Sequence, residues 1–223
     1  MLRNDYIMRL IEQFTQAMAL ILGFKNAQKY QDALDLTAET IQQLFGVDAK
    51  FIDTIPDEDL LVLLRTNDGI EPDKAIIIAA LQKEAGDIFE AAGDSDSSYF
   101  RHSKALNLLL EVYNHDTPTN LPDYLNETGI AGLIAKLDRY ELPEATKLRL
   151  LLYYEKAGNF AKAEDLLYDM IETGQPEIID RGIAFYRRIA LKSDQQLEAG
   201  NLPREEVQEG LAELERMKEQ NKA

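Results

Sequence analysis

Apolar residues recur at intervals of three and four along most of the chain, which is the spacing of one face of an α-helix. The pattern predicts helices over residues 5–24, 29–45, 73–91, 97–114, 143–157, 176–196 and 203–220. The run Ile76–Ile77–Ile78 is β-branched, but the alanines around it favour a helix. The chain is therefore predicted to be all-α, with antiparallel helical hairpins and no strands.

Local signals predict several helix ends. Asn4 or Asp5 is expected to cap the first helix, and Pro56, which is followed by three acidic residues, predicts a helix start. Asn67–Asp68–Gly69 predicts a turn. Whether the segments 47–72 and 121–142 are true repeats is left open by their sequence.

The clearest hairpin turn lies near the middle of the chain. Gly86 leaves room for a neighbouring helix, Phe89 fills space one turn later, and Gly93 can adopt the left-handed conformation that ends a helix. The inward face of the second helix is predicted to carry Ser98, His102 and Ala105. These spacings predict two closely packed antiparallel helices.

The same spacing recurs 65 residues away in both directions. The later copy consists of Leu150, Leu151, Tyr154, Gly158, Phe160, Ala163 and Leu167. The earlier copy consists of Leu20, Ile21, Phe24, Tyr30, Ala33 and Ile41, with Gln28 in place of the turn glycine. Two hairpins of about 33 residues span roughly this distance, so the intervening segments can hold further, degenerate hairpins.

These positions resemble the tetratricopeptide repeat, whose alternation of small and aromatic residues they follow. The chain has no tryptophan, and His102 stands where that repeat usually has an aromatic residue. The resemblance implies hairpins stacked as a right-handed α-α superhelix, and this class of protein binds other proteins or peptides.

Over its full length the chain also resembles a family of uncharacterised bacterial proteins. The resemblance is strongest in the opening stretch Asp5–Tyr6–Ile7–Met8–Arg9–Leu10–Ile11–Glu12–Gln13. It implies no activity.

The length and composition fit one sizeable core. With 223 residues, 45% of them apolar, we predict a single helical-repeat domain over 1–223. Prolines and turn-forming residues cluster at 117–122, so a subdivision into 1–116 and 121–223 is the alternative.

Acidic side chains are concentrated in the middle of the sequence. Residues 1–46 carry a net charge of −1, residues 47–143 carry −11, and residues 144–223 carry −4. An acidic surface repels phosphate backbones, so we expect no nucleic-acid partner.

The cellular location is predicted from cysteine content and hydropathy. Cysteine is absent, which fits a reducing compartment. The longest apolar run, 17–22, is far shorter than the roughly 20 residues that span a bilayer. We therefore expect a cytoplasmic protein without a membrane partner.

Motifs of catalysis and cofactor binding are missing from the sequence. It has no phosphate-binding glycine loop, no zinc-protease helix and no serine elbow. Of the two histidines, His102 is predicted to lie in the core and His115 in a solvated loop. We therefore predict that the protein is not an enzyme and has no cofactor, catalytic residue or metal site.

The leading functional hypothesis is a non-enzymatic scaffold that binds a protein or peptide. The alternatives are an all-helical hydrolase that holds a divalent metal with scattered Asp and Glu residues, and a purely structural subunit that associates with itself.

The binding surface is predicted one face round from the packing stripe of the first helix of each hairpin. Its residues are Lys83, Asp87, Glu90, Leu148, Leu152 and Glu155. Acidic and apolar groups together suit a partner with basic and apolar side chains.

The first helix has apolar residues beyond a single face, at Tyr6, Met8 and Leu20. A helix of this kind is buried on more than one side. A homodimer formed through the N-terminal helix is therefore a further hypothesis.

Overall fold

The computed structural model describes residues 2–66, 69–172 and 176–221, and the side chains of residues 2–4, 127–128 and 176 are outside that description. The chain forms two compact units, Met1–Glu141 and Leu142–Ala223. The proline-rich segment 117–122 belongs to the first unit. Thr119 and Asn120 tie it to the start of a helix there, because both donate hydrogen bonds to the carboxylate of Asp73.

The first unit contains seven α-helices and two very short strands in its described part. They are α1 (Leu2–Asn26), α2 (Tyr30–Phe45), α3 (Ala49–Thr54), α4 (Asp57–Leu63), β1 (Arg65–Thr66), β2 (Gly69–Ile70), α5 (Pro72–Ala92), α6 (Ser95–Asn114) and α7 (Gly132–Leu137). A 3₁₀ turn at Pro122–Leu125 and a π-helical turn at Glu127–Ala131 precede α7.

The second unit is helical throughout its described part. Its helices are α8 (Glu144–Ala157), α9 (Phe160–Glu172), α10 (Pro176–Ile189), α11 (Asp194–Ala199) and α12 (Arg204–Gln220). The prediction of an all-helical fold is confirmed at this level, and the helical assignment of Ile76–Ile78 is correct.

Three local predictions are wrong. Helix α1 begins at Leu2, so Asn4 and Asp5 lie inside it and do not cap it. Helix α10 ends at Ile189, before the predicted 196, because the side chain of Ser193 caps a new helix in a capping box with Gln196.

The third concerns strands. Residues Arg65–Thr66 and Gly69–Ile70 pair as a minimal antiparallel hairpin, although no strand was expected. The turn predicted at Asn67–Asp68 lies outside the described residues. Only four residues are involved, which is too few for a strand pattern to be seen in the sequence.

Polar contacts hold the segment 49–66 against α6. Along α6, Arg101 pairs with Asp53, Lys104 and Asn107 pair with Asp57, and Glu111 accepts a hydrogen bond from Arg65. The α6 positions are separated by three or four residues, so they form one row on the helix. This polar row explains why the segment showed no clear hairpin pattern of apolar residues.

Helix α5 is the core of the first unit. Its residues 75–82 are all buried, and it packs chiefly on α6 and also on α2 and α1. Because α5 is enclosed by other helices, its isoleucines and alanines lose nearly all contact with water. Burial of apolar surface contributes about 25 cal/mol per Å², so this helix provides a large share of the unit's hydrophobic stabilisation.

The second unit has its own core around α9, α10 and α12. Tyr186 is fully buried there, and its ring occupies the space that Gly210 leaves open. A Cβ atom at Gly210 would lie 2.3 Å from the ring, so only glycine fits this position.

The three hairpin turns have the same backbone geometry. Gln28, Gly93 and Gly158, spaced by 65 residues, adopt left-handed conformations with φ of 59°, 87° and 77°. At each turn this residue donates to the carbonyl three residues earlier, and the next residue donates to the carbonyl five residues earlier. These are Schellman motifs, and the carbonyl at the five-residue distance belongs to Phe24, Phe89 and Tyr154 in turn.

The predicted close approach at Gly86 is present. A Cβ atom there would lie 2.5 Å from Cδ2 of His102, so the imidazole takes the space that a side chain at position 86 would need. The equivalent pairs are Ile21 with Thr37 and Leu151 with Leu167, all buried. The middle hairpin has therefore replaced apolar volume on α5 by an imidazole from α6.

We predict that Gly86→Ala lowers the free energy of unfolding by about 1–3 kcal/mol, because the new methyl group overpacks against His102. In a His102→Ala background the same change should be neutral or stabilising by up to about 1 kcal/mol, since alanine favours helix over glycine. Urea unfolding of the four proteins of this double-mutant cycle measures both effects. An equal loss in both backgrounds would contradict the proposed steric contact.

Candidate functional site

The first unit contains a cavity of about 370 Å³ next to α5. Met18 and Leu22 of α1 form one wall, and Ala80, Lys83 and Glu84 of α5 form another. The remaining lining residues are Asp123, Tyr124 and Gly129. The walls are mostly apolar, with charged groups at a few positions, which is the usual composition of a ligand site.

Equivalent faces of the first two hairpins line this cavity. Met18 and Lys83 are 65 residues apart, so they occupy the same position in the two hairpins. Leu22 and Lys25 correspond in the same way to Asp87 and Glu90. The predicted binding residue Lys83 therefore lies on the cavity wall, while Asp87 and Glu90 lie one and two turns further along α5.

Lys83 and its neighbours form a network of ion pairs. Its Nζ lies 2.8 Å from Oδ2 of Asp87 and 3.2 Å from Oε1 of Glu84. Lys25 Nζ lies 2.6 Å from Oε2 of Glu84. The positive charges from α1 and α5 therefore meet carboxylates on α5 at short range.

Lys136 of α7 completes the network. Its Nζ is 3.0 Å from Oδ1 of Asp87 and 2.6 Å from Oε2 of Glu90. Asp87 consequently contacts lysines from two elements and is only 14% exposed. The predicted acidic residues Asp87 and Glu90 are thus neutralised within the chain.

His102 lies in the core, as predicted, and bridges α6 to Asp87. Its Nε2 is 3.0 Å from Oδ1 of Asp87, and its Nδ1 is 3.2 Å from Oγ of Ser98. The chain of serine, histidine and aspartate has the order of a hydrolase triad. Ser98 is only 2% exposed, however, so its hydroxyl is enclosed and does not face a substrate.

The network shifts the pKa values of its members. Burial opposes the ionisation of Asp87, but hydrogen bonds from His102 and Lys83 outweigh it and hold the pKa of Asp87 below its ordinary value. Burial likewise opposes the charge on Lys83 and Lys136, and their carboxylate partners raise both pKa values. All three groups are therefore charged near neutral pH.

Asp87, Glu90 and His102 could in principle hold a metal ion. Each offers one ligand atom, and these atoms all lie within 4.8 Å of one another. Carboxylate and imidazole ligands suit zinc or manganese. The ammonium of Lys136 already contacts both carboxylates, so a metal ion would first have to displace it.

The other three predicted binding residues belong to the second unit. Leu148 is partly buried against that unit's core, and Leu152 is 47% exposed. The carboxylate of Glu155 accepts two hydrogen bonds of 2.7 Å from the guanidinium of Arg188. Of these three, only Leu152 is a largely exposed apolar group.

Sequence reasoning missed several groups at the cavity and the network. Lys25 and Met18 could have been found, because the 65-residue shift places them opposite Glu90 and Lys83. Tyr124 and Lys136 gave no such signal. They come from the segment after α6, whose turns carry no repeat pattern.

A comparison with protein families gives one match. Residues 1–219 match a model described as a family of unknown function, DUF6483. The chain belongs to this family. The expected resemblance to an uncharacterised family is thereby confirmed over nearly the whole chain, and membership of DUF6483 assigns no activity. No curated protein and no solved structure matches the chain.

We predict that Asp87→Asn lowers the free energy of unfolding at neutral pH by about 1.5–3 kcal/mol, because charge-assisted hydrogen bonds are lost. The folded pKa of Asp87 lies below its unfolded value of about 3.9, so its contribution is present above that pH and is lost as the pH falls further. The difference between the two proteins should shrink below about pH 4 in urea titrations. The exposed Asp138→Asn is the control. A difference that stays constant down to low pH would contradict this account.

We also predict that Mn²⁺ or Zn²⁺ changes the melting temperature of the wild-type protein little, since Lys136 competes for both carboxylates. Lys136→Ala removes the competitor and should respond more strongly to the same metal. Thermal unfolding with and without chelator measures both. A strong, chelator-reversible stabilisation of the wild type would instead favour the metal-dependent hydrolase.

Proposed function

We propose that the protein is a non-enzymatic helical module that binds another protein or a peptide, and that α1 is its main docking element. The observation that carries this proposal is the low burial of an apolar helix. Only 22% of the most apolar stretch of α1 is buried within the chain. An apolar surface of this kind usually marks a site of interaction.

The two sides of α1 differ in their surroundings. Leu10, Phe14 and Ile21 are almost completely buried against the first unit. Tyr6, Met8 and Leu20 are 46%, 52% and 60% exposed. The helix is thus anchored by one face and leaves apolar side chains available on others.

A second apolar stripe runs along α1 toward the cavity. Its members follow a spacing of three and four residues and are Met8, Ile11, Thr15, Met18 and Leu22. Residues at this spacing lie on one helix face. Because Met18 and Leu22 also line the cavity, a partner segment lying along this stripe would end at the cavity mouth.

Helix α1 is long and apolar enough to cross a membrane by length and composition. The buried Leu10, Phe14 and Ile21 and the ion pair of Lys25 with Glu84 attach it to the first unit. The net charge of −16 also opposes approach to an anionic membrane surface. We therefore assign α1 to protein binding.

We infer further that the hairpins stack in the manner of tetratricopeptide repeats, as a right-handed superhelix. The identical Schellman turns at Gln28, Gly93 and Gly158 support this inference. So does the burial of the small residues Ala33 and Ala163 at equivalent positions.

Self-association through α1 is the second candidate function, and the exposure of Met8 favours it. Burying one such side chain contributes about 1.5–3 kcal/mol, so a few of them can hold a dimer together. In that case the same apolar stripe would contact a second copy of the chain.

We predict that Met8→Glu combined with Thr15→Glu abolishes partner binding, because it places two charges on the second stripe. The control is Gln13→Glu with Gln16→Glu, which adds the same charge to a different face of α1. Quantitative capture from native lysate and sedimentation velocity are the measurements. Proteins retained by the wild type and the control but lost by the first variant support a hetero-partner, and a dimer that becomes monomeric supports self-association. A monomer whose captured proteins are identical in all three forms would refute both.

A further inference from the structure

We propose that the cavity between α1, α5 and Tyr124 binds a primary amine with an apolar body, either as a free small molecule or as a lysine side chain of a peptide. This inference goes beyond the docking role of α1, because it concerns the cavity and the chemistry of its ligand.

The apolar body is accommodated by the cavity walls. Met18, Leu22 and Ala80 are aliphatic, and the ring of Tyr124 stands beside Phe14 with its centroid 6.0 Å away. A volume of about 370 Å³ lies within the usual range of small-molecule sites. Such walls favour a hydrocarbon chain or an aromatic ring of modest size.

The charge of the lining favours a cation. Glu84 is a buried acid in the wall, and Asp123 is a second, exposed acid of the lining. The positive charge of Lys83 is already shared between Asp87 and Glu84. In the surrounding network Lys25, Lys83 and Lys136 balance Glu84, Asp87 and Glu90, so Asp123 leaves the site with an excess negative charge.

The phenol of Tyr124 lies in the field of these groups. Burial raises its pKa, and the negative charges of Glu84 and Asp123 raise it further, while Lys83 opposes them. A carboxylate ligand would experience the same repulsion as the phenolate. An ammonium would be attracted by these acids and by the electron-rich face of the ring.

The strong acidity of the whole chain adds to this preference. A net charge of −16 attracts cations over several ångströms and repels anions. The N-terminal 46 residues are nearly neutral, so the apolar wall from α1 adds little charge of its own.

The test uses three probes that share one apolar body, namely phenylbutylamine, phenylbutanol and phenylbutyrate. Calorimetry with the full chain should show the amine binding about three- to tenfold more tightly than the alcohol, with the carboxylate weakest. Equal affinities for all three, or no binding of the amine, would overturn the proposal.

Two exposed acids provide a matched pair of variants. Asp123→Asn should reduce the preference for the amine over the alcohol, and Asp138→Asn, which does not line the cavity, should leave it unchanged. Tyr124→Leu keeps the wall apolar and should weaken the amine more than the alcohol. An unchanged ratio in both Asp123→Asn and Tyr124→Leu would contradict the assignment.

A capped dipeptide of phenylalanine and lysine distinguishes the two sources of the amine. Binding as tight as that of phenylbutylamine assigns the site to a lysine side chain, and binding of phenylbutylamine alone assigns it to a small molecule. Failure of every probe removes the cavity proposal but does not affect the lysate capture that tests α1.

Discussion

The close approach of α5 and α6 at Gly86 is the constraint on which the first unit depends. It brings two long helices together so tightly that nearly every side chain of residues 75–88 is enclosed. Polar groups placed there lose water and must find partners inside the chain, since an unpaired buried polar group costs roughly 1–3 kcal/mol. The contacts of His102 with Asp87 and Ser98, and those of Lys25 and Lys83 with Glu84, meet this requirement.

The three hairpins share one frame, but only the middle one carries this charged cluster. Where the first hairpin has Met18 and Leu22 and the third has Leu148 and Leu152, the middle one has Lys83 and Asp87. Buried ion networks often contribute little net stability, because desolvation offsets the attraction of the charges. The frame is held by apolar burial and by the Schellman turns. We infer that the cluster is an addition to this frame, placed beside the cavity that we assign to ligand binding.

Much of the frame could be predicted from the sequence. Gly93 and Gly158 announced two left-handed turns, and the small residues at 86 and 98 announced the close helix pair. The weaker first copy also held, because Gln28 adopts the left-handed conformation without being glycine. The binding residues were chosen from the same periodicity, which located Lys83 beside the cavity but could not show that Asp87 is neutralised.

What could not be predicted depends on contacts between distant, irregular segments. Lys136 reaches Asp87 from a short helix after a π-helical turn, and Tyr124 closes the cavity from a 3₁₀ turn. The most direct test of the central claim is to copy the first hairpin into the second, with Lys83→Met, Gly86→Ile, Asp87→Leu and His102→Thr. Lys25 with Glu84 and Lys136 with Glu90 remain paired in this variant. The account predicts a free energy of unfolding equal to or above that of the wild type, and a loss of several kcal/mol would show that the fold requires the cluster.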